Sequence, residues 1–203
     1  LRELVSNASD AIDRRRFAAL TDPALAPDRE FAILLETAAE PRRLCVRDNG
    51  IGMSRDELIQ NLGTIARSGT REFASKLREA AASGAPELIG QFGVGFYSAF
   101  MVADRVDVVS RRAGQSEAWR WSSDGKGTYT VEPADASAAP ARGTRVTLHL
   151  LEDAKSYTER FNIERIVRAN SGHVPVPISI VEKPGAEPAE LADGVALWTR
   201  PRS

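Results

Sequence analysis

Apolar residues along this chain change their period twice. From Leu1 to Leu20 they recur at helical spacing, with Leu1, Leu4, Val5, Ala8 and Ile12 on one stripe. Glu3 and Asn7 stand one turn apart, only about 40° from each other and off that stripe. Thr21–Arg29 contains Pro23 and Pro27 and predicts a connection. Phe31–Leu35 and Arg43–Asp48 predict short strands, the second with Leu44, Val46 and Asp48 sharing a face. The Gly-rich turn "DNGIGM" comes next. Ser54, three residues before Glu57, predicts a capping box that opens a short helix.

From Asn61 to Gly90 the chain turns polar and small. "GTIARSGT" and "EAAASGAPE" predict a mobile lid with helical pieces. "GQFGVGF" then leads into "YSAFMVAD", an apolar run with helical character. Beyond it the period falls to two. Arg105–Arg111, Glu117–Trp121, Gly127–Val131 and Thr144–Leu150 predict strands, and their short links predict an antiparallel meander. "SSDGKG" is a turn and "PADASAAPARG" a solvated loop. Tyr157–Ser171 predicts an amphipathic helix. Pro175 and Pro177 introduce a final edge strand, Ile178–Glu182, and "KPGAEPAELADG" has linker composition. This order predicts an α+β two-layer sandwich: a mixed, mostly antiparallel sheet with helices on one face.

The totals narrow the choice of function. A chain of 203 residues suggests one large domain, or one domain with a tail, and 42% hydrophobic residues can form a sizeable core. The formal charge of −1 gives no positive field to draw nucleic acid or anionic lipid. No apolar run approaches membrane-spanning length. Cys45 is the only cysteine, so no disulfide can form within the chain, which suits a reducing compartment. Between Leu44 and Val46 it is expected to be a small buried strand residue. His149 and His173 are too isolated to suggest a metal site. Trp119 and Trp121 share a strand face, where packing is expected. The chain starts at Leu1 inside a periodic helix, so it is expected to be a piece of a longer protein.

Several turns could carry chemistry. Gly90-x-x-Gly93-x-Gly95 precedes a helical run, and backbone N–H groups at such a start suit phosphate. No Gly-Lys-Ser/Thr follows, so it is not a P-loop. Asp48 ends a strand and can accept a hydrogen bond from an amino group, while Gly50 and Gly52 clear space above it. An ordinary strand-end turn has the same composition. Asn7 offers a hard amide oxygen suited to Mg²⁺, and Glu3 could orient or deprotonate a water. A solvated helix face explains that pair equally well. Each feature alone is weak.

Taken in order, Glu3-x-x-x-Asn7, Asp48-x-Gly50-x-Gly52, Gly90-x-x-Gly93-x-Gly95 and Gly143-Thr144 resemble the four-box signature of the Bergerat ATP-binding fold. The segments between them resemble the heat shock protein 90 chaperones in their bacterial form: "LRELVSNASDA", "DNGIGM", "NLGTIARSGT", "IGQFGVGFYSAFMVADRV", "GTRVTLHL" and the terminal "ALWTR". The resemblance covers nearly the whole chain. It implies an ATP-binding domain over 1–184, with a linker and the start of a middle domain over 185–203. It also implies a further strand and helix ahead of residue 1, and a middle-domain arginine that reaches the terminal phosphate. The loop Pro133–Arg142 and the tail Val174–Pro184 match less well.

The resemblance also implies roles. Asp48 would hold the adenine amino group, with Thr144 helping through water. Gly52 and Met53 would line the adenine pocket, and Asn61 would lie near ribose and phosphates. Asn7 would bind Mg²⁺ and the phosphates of ATP or ADP. Glu3, held by Arg2, would act on the attacking water. The amides of Gly93, Val94, Gly95 and Phe96 would cradle phosphate, with Arg67 of the lid approaching it. The implied protein is a cytoplasmic ATPase chaperone of the stress response, acting on client proteins. It would be a homodimer at full length, with the present chain monomeric. Two other functions stay open: a binding module in which ATP is a conformational ligand, and a DNA-acting relative. The charge of −1 disfavours the latter.

Overall fold

A computed structural model describes residues 1–63, 95–135, 137, 139–172, 174–183 and 185–195. Eight strands form one mixed sheet. They are β1 (Ile33–Ala38), β2 (Arg43–Asp48), β3 (Ala103–Arg111), β4 (Trp119–Ser123), β5 (Tyr129–Pro133), β6 (Gly143–Leu150), β7 (Ile178–Val181) and β8 (Ala189–Ala192), in the order β5-β4-β3-β6-β2-β1-β7-β8. Among the described residues only β1 and β7 pair in parallel. The α-helices among the described residues are α1 (Arg2–Thr21), the single-turn α2 (Arg55–Leu58) and α3 (Arg160–Asn170). The expected α+β sandwich is borne out.

Strand alternation decides which face carries the helices. Leu35, Val46, Val108, Leu148 and Ile180 point inward and join Leu4, Val5, Ala8 and Ile12 of α1 with Ile163 and Val167 of α3 in one core. Each fully buried aliphatic side chain contributes about 2 kcal/mol of transfer free energy. Trp121 is fully buried, and Trp119 packs against the same core, as their shared face predicted. On the opposite face Cys45 is buried, and burial pushes its thiol up to about 12.

Several expectations need correction. The four central strands are not a simple meander: β3, β4 and β5 are, but β6 returns to pair with β3 and β2 at the middle of the sheet. The long loop before Gly143 gives the chain room to cross back. β1 starts at Ile33, not Phe31, because its ladder begins where the parallel β7 meets it. Phe31 instead packs beneath the guanidinium groups of Arg15 and Arg16, at 5.6 and 5.1 Å from the ring centroid. The apolar run after Gly95 is a 3-10 helix, Gly95–Met101, and its end, Ala103–Asp104, opens β3. Glu152–Thr158 is likewise 3-10, so α3 starts only at Arg160. β7 is not the edge: within the segment of linker composition, Ala189–Ala192 pairs with it as β8. The lid segment lies outside the described residues except for 61–63, which belong to a π-helical stretch, Ile59–Gly63.

Candidate nucleotide site

The end of β2 places Asp48 on the core face, beneath α1. The carboxyl is 7% exposed, so its charge is hard to solvate. Burial raises it to about 7, although the backbone N–H groups of Gly50 and Thr144 and the charge of Arg47 pull the other way. Gly50 N–H donates to Oδ1 at 2.8 Å. The turn that follows is docked on the helix, with Ile51 N–H donating to the Ala11 carbonyl at 2.9 Å.

Above Asp48 lies a cavity of about 360 Å³. Asn7 and Asp10 line it from α1, Gly52, Met53 and Asn61 from the segment after β2, Phe96 from the 3-10 helix and Thr144 from β6. Asn7 is exposed, and its carboxamide makes no hydrogen bond among the described residues. Gly52 has φ +68, and a Cβ there would collide with the Arg111 carbonyl, so only glycine lets the chain turn there. The α2 turn is held by a complete capping box. Ser54 Oγ accepts from Glu57 N–H at 3.3 Å, and Glu57 Oε2 accepts from Ser54 N–H at 2.8 Å.

Glu3 opens elsewhere. It is half-buried, its Oε1 accepts from Arg2 Nη2 at 3.2 Å, and it lines a second cavity of about 350 Å³ with Ser6, Asn170 and Ser171. A Cβ on Gly95 would collide with Glu3 Oε2, so Gly95 gives the carboxylate its place. Glu3 and Asn7, which share a stripe, thus open to cavities one helical turn apart. The site residues Arg67, Gly93 and Val94 lie outside the described residues, as does "ALWTR".

Three groups at the site escaped the sequence reading. Ser110 is fully buried. Its hydroxyl accepts from Met53 N–H at 2.8 Å, meets Thr144 Oγ1 at 2.8 Å and donates to the Gly143 carbonyl at 3.2 Å. It follows Val106 and Val108 on the inward face of β3, where a lone hydroxyl was the available signal. Glu57 and Arg112 pair at 2.8 Å beside the cavity. Arg15 is fully buried on the α1 stripe.

A larger groove, about 600 Å³, lies on the face of the sheet opposite α1, which no described helix covers. Asp107 gathers three of its basic groups. Asp107 is 2.8 Å from His149 Nε2, 3.2 Å from Arg105 and 3.1 Å from Arg120. Burial would raise the Asp107 carboxyl, but hydrogen bonds from Ser122, His149 and Arg120 outweigh it and bring it to about 2. Among the described residues no group of three or more His, Cys, Asp or Glu could hold a metal ion, and no helix is long and apolar enough to cross a membrane.

A buried acceptor at a strand end and a carboxamide on α1 line one cavity, the arrangement expected of an ATPase domain. The sequence model of the histidine kinase-, DNA gyrase B- and HSP90-like ATPases matches residues 1–158, and the chain belongs to that family. Within it, the chain is similar to the chaperone protein HtpG of Nitrobacter winogradskyi, 66% identical over 203 residues that cover 100% of this chain and 32% of that protein. HtpG of Rhizobium meliloti is 61% identical over 204 residues, and HtpG of Rhodospirillum rubrum 54% over 205, each again with 100% of this chain and 32% of the relative covered. The expected resemblance to heat shock protein 90 is borne out. The chain spans about a third of the length of the curated relatives it matches.

Proposed function

We propose that this chain is the ATP-binding and ATP-hydrolysing domain of a cytoplasmic molecular chaperone, in which nucleotide drives lid closure and N-terminal dimerisation during client folding. The carrying observation is Asp48, a buried carboxylate in a cavity of about 360 Å³ that Asn7 also lines. The similarity to HtpG proteins supports the chaperone assignment. Residues 1–184 form the nucleotide domain in this reading, with the middle domain starting beyond a linker. β8 stays with the sheet across that division.

Asp48 accepts the adenine amino group, and Thr144, oriented by Ser110, completes the contact through water. Gly52 and Met53 form the wall of the base pocket, and Asn61 stands toward ribose and phosphates. The amides from Gly93 to Phe96 and the Arg67 side chain contact the phosphates. The donor set fits Mg²⁺ in one respect: Asn7 presents a hard carboxamide oxygen that makes no other hydrogen bond among the described residues. Asn7 would hold the ion, which when bound neutralises phosphate charge. Glu3 orients the attacking water and takes its proton, with Arg2 fixing the carboxylate.

Glu3→Ala in the longer protein tests the catalytic part. It should bind Mg·ATP within about threefold of the parent and lose at least about 100-fold in single-turnover hydrolysis, in the range of a removed general base. Unchanged turnover would remove Glu3 from the mechanism.

A further inference from the structure

Arginine is almost never fully buried without a carboxylate partner. Arg15 is 0% exposed, and its nearest carboxylate, Asp28 Oδ1, stands 3.9 Å away on a side chain 54% exposed. Its guanidinium donates instead to three backbone carbonyls: Nε to Leu25 at 2.9 Å, Nη1 to Asn49 at 2.7 Å and Nη2 to Ala26 at 3.0 Å. Three carbonyls from two separate segments converge on one planar fork on α1. The shortest of these bonds goes to the residue that follows Asp48.

The peptide after Asp48 is therefore fixed from two directions. Arg15 holds the Asn49 carbonyl, and the Ala11 carbonyl holds Ile51 N–H. The Asn49 side chain adds two bonds, accepting from Ala32 N–H at 3.0 Å and donating to the Glu30 carbonyl at 2.8 Å. Between these anchors, Gly50 N–H meets Asp48 Oδ1. The direction of the Asp48 carboxylate into the cavity depends on where the Asn49–Gly50 peptide sits. A hydrophobic residue of similar length on this stripe could fill the space, but it would leave the Asn49, Leu25 and Ala26 carbonyls without that donor.

We propose that Arg15 is a positioning residue for nucleobase recognition: by clamping the Asn49 carbonyl it sets the angle at which Asp48 meets the exocyclic amino group of adenine. The proposal rests on the reading of Asp48 as the adenine acceptor. It assigns Arg15 no contact with nucleotide. Loss of the clamp should weaken the part of affinity that comes from the amino group and spare the part that comes from sugar and phosphate.

The test compares calorimetric affinities for Mg·ADP and for the diphosphate of purine riboside, which lacks the amino group, at 10 °C with the 203-residue chain. The ratio of the two affinities reads the contact that Asp48 makes with the amino group, together with the water held by Thr144, and is insensitive to a general loss of stability. The parent should favour ADP at least tenfold, and Asp48→Asn should abolish that preference. Arg15→Met should bring the ratio to within about threefold of one while the purine riboside affinity changes less than twofold. Arg15→Lys should give an intermediate ratio, because an ammonium lacks the planar fork that reaches three carbonyls. If Arg15→Met does not fold, Arg15→Lys carries the test, with at least a threefold fall in the ratio expected. A folded variant that keeps the parent's ratio overturns the proposal. A parent that binds both ligands equally overturns the Asp48 reading and this proposal with it.

Discussion

At the residue scale, the account turns on carboxylates tuned by their surroundings. Asp48 is raised to about 7 by burial, against an ordinary value of 3.8. A raised acid keeps its proton in the folded state, so between pH 4 and 7 the folded chain binds more protons than the unfolded one. Stability from this group therefore falls as pH rises through that window and levels off above it, by up to roughly 4 kcal/mol. Asp48→Asn should remove most of this slope in urea unfolding series at pH 5 and pH 8. An ionised carboxylate is the better acceptor for an amino group, so Mg·ADP affinity should rise by several-fold between pH 6 and pH 8, as followed by calorimetry. Gly95 offers a second probe. A Cβ there would meet the far end of the flexible Glu3 side chain, which can swing away at little expense to folding. Gly95→Ala in the longer protein should slow hydrolysis at least about tenfold while Mg·ADP affinity stays within about threefold. An equal loss of both would show that the substitution acts through the phosphate-contacting amides and not through the place of Glu3.

At the scale of elements, periodicity and capping were legible and pairing was not. The α1 stripe, β2 and the Ser54–Glu57 box each follow from short-range chemistry, and each stands where the sequence placed it. Ser54→Ala should cost about 1 kcal/mol, measured by urea unfolding, since it deprives the Glu57 N–H of its acceptor. The return of β6 to the centre of the sheet and the addition of β8 depend on long-range partners, which alternation in one strand does not specify. Composition misled at β8, where "AELA" sits among Pro and Gly and reads as linker. Arg15 was missed for the opposite reason. It stands three residues after Ile12, on the same helical stripe, but its charge disguised a buried position whose acceptors are backbone carbonyls of distant segments.

At the scale of the whole molecule, the sheet is a platform, and among the described residues the helices cover one of its faces. The covered face carries the strand end with Asp48, so the cavity above it is built where α1 crosses β2 and β6. Asn7, Asp48, Gly52, Phe96 and Thr144, far apart in the chain, meet there only through this topology, which is why their motifs were informative together and weak singly. The sheet also extends past residue 184. Ending the chain at 184 would strip β8 from β7 and leave the β7 edge unpaired. Thermal unfolding of that shorter chain should fall by roughly 4 °C, the shift expected for between 1 and 2 kcal/mol in a domain of this size. An unchanged melting temperature would show that β8 contributes nothing to the sheet.

The most direct test of the central claim is calorimetric titration of the 203-residue chain with Mg·ADP and Mg·ATP, alongside Asp48→Asn. The account predicts saturable binding of both nucleotides by the parent and its loss in a variant that remains folded. Binding of equal strength in Asp48→Asn, or none in a folded parent, would contradict it.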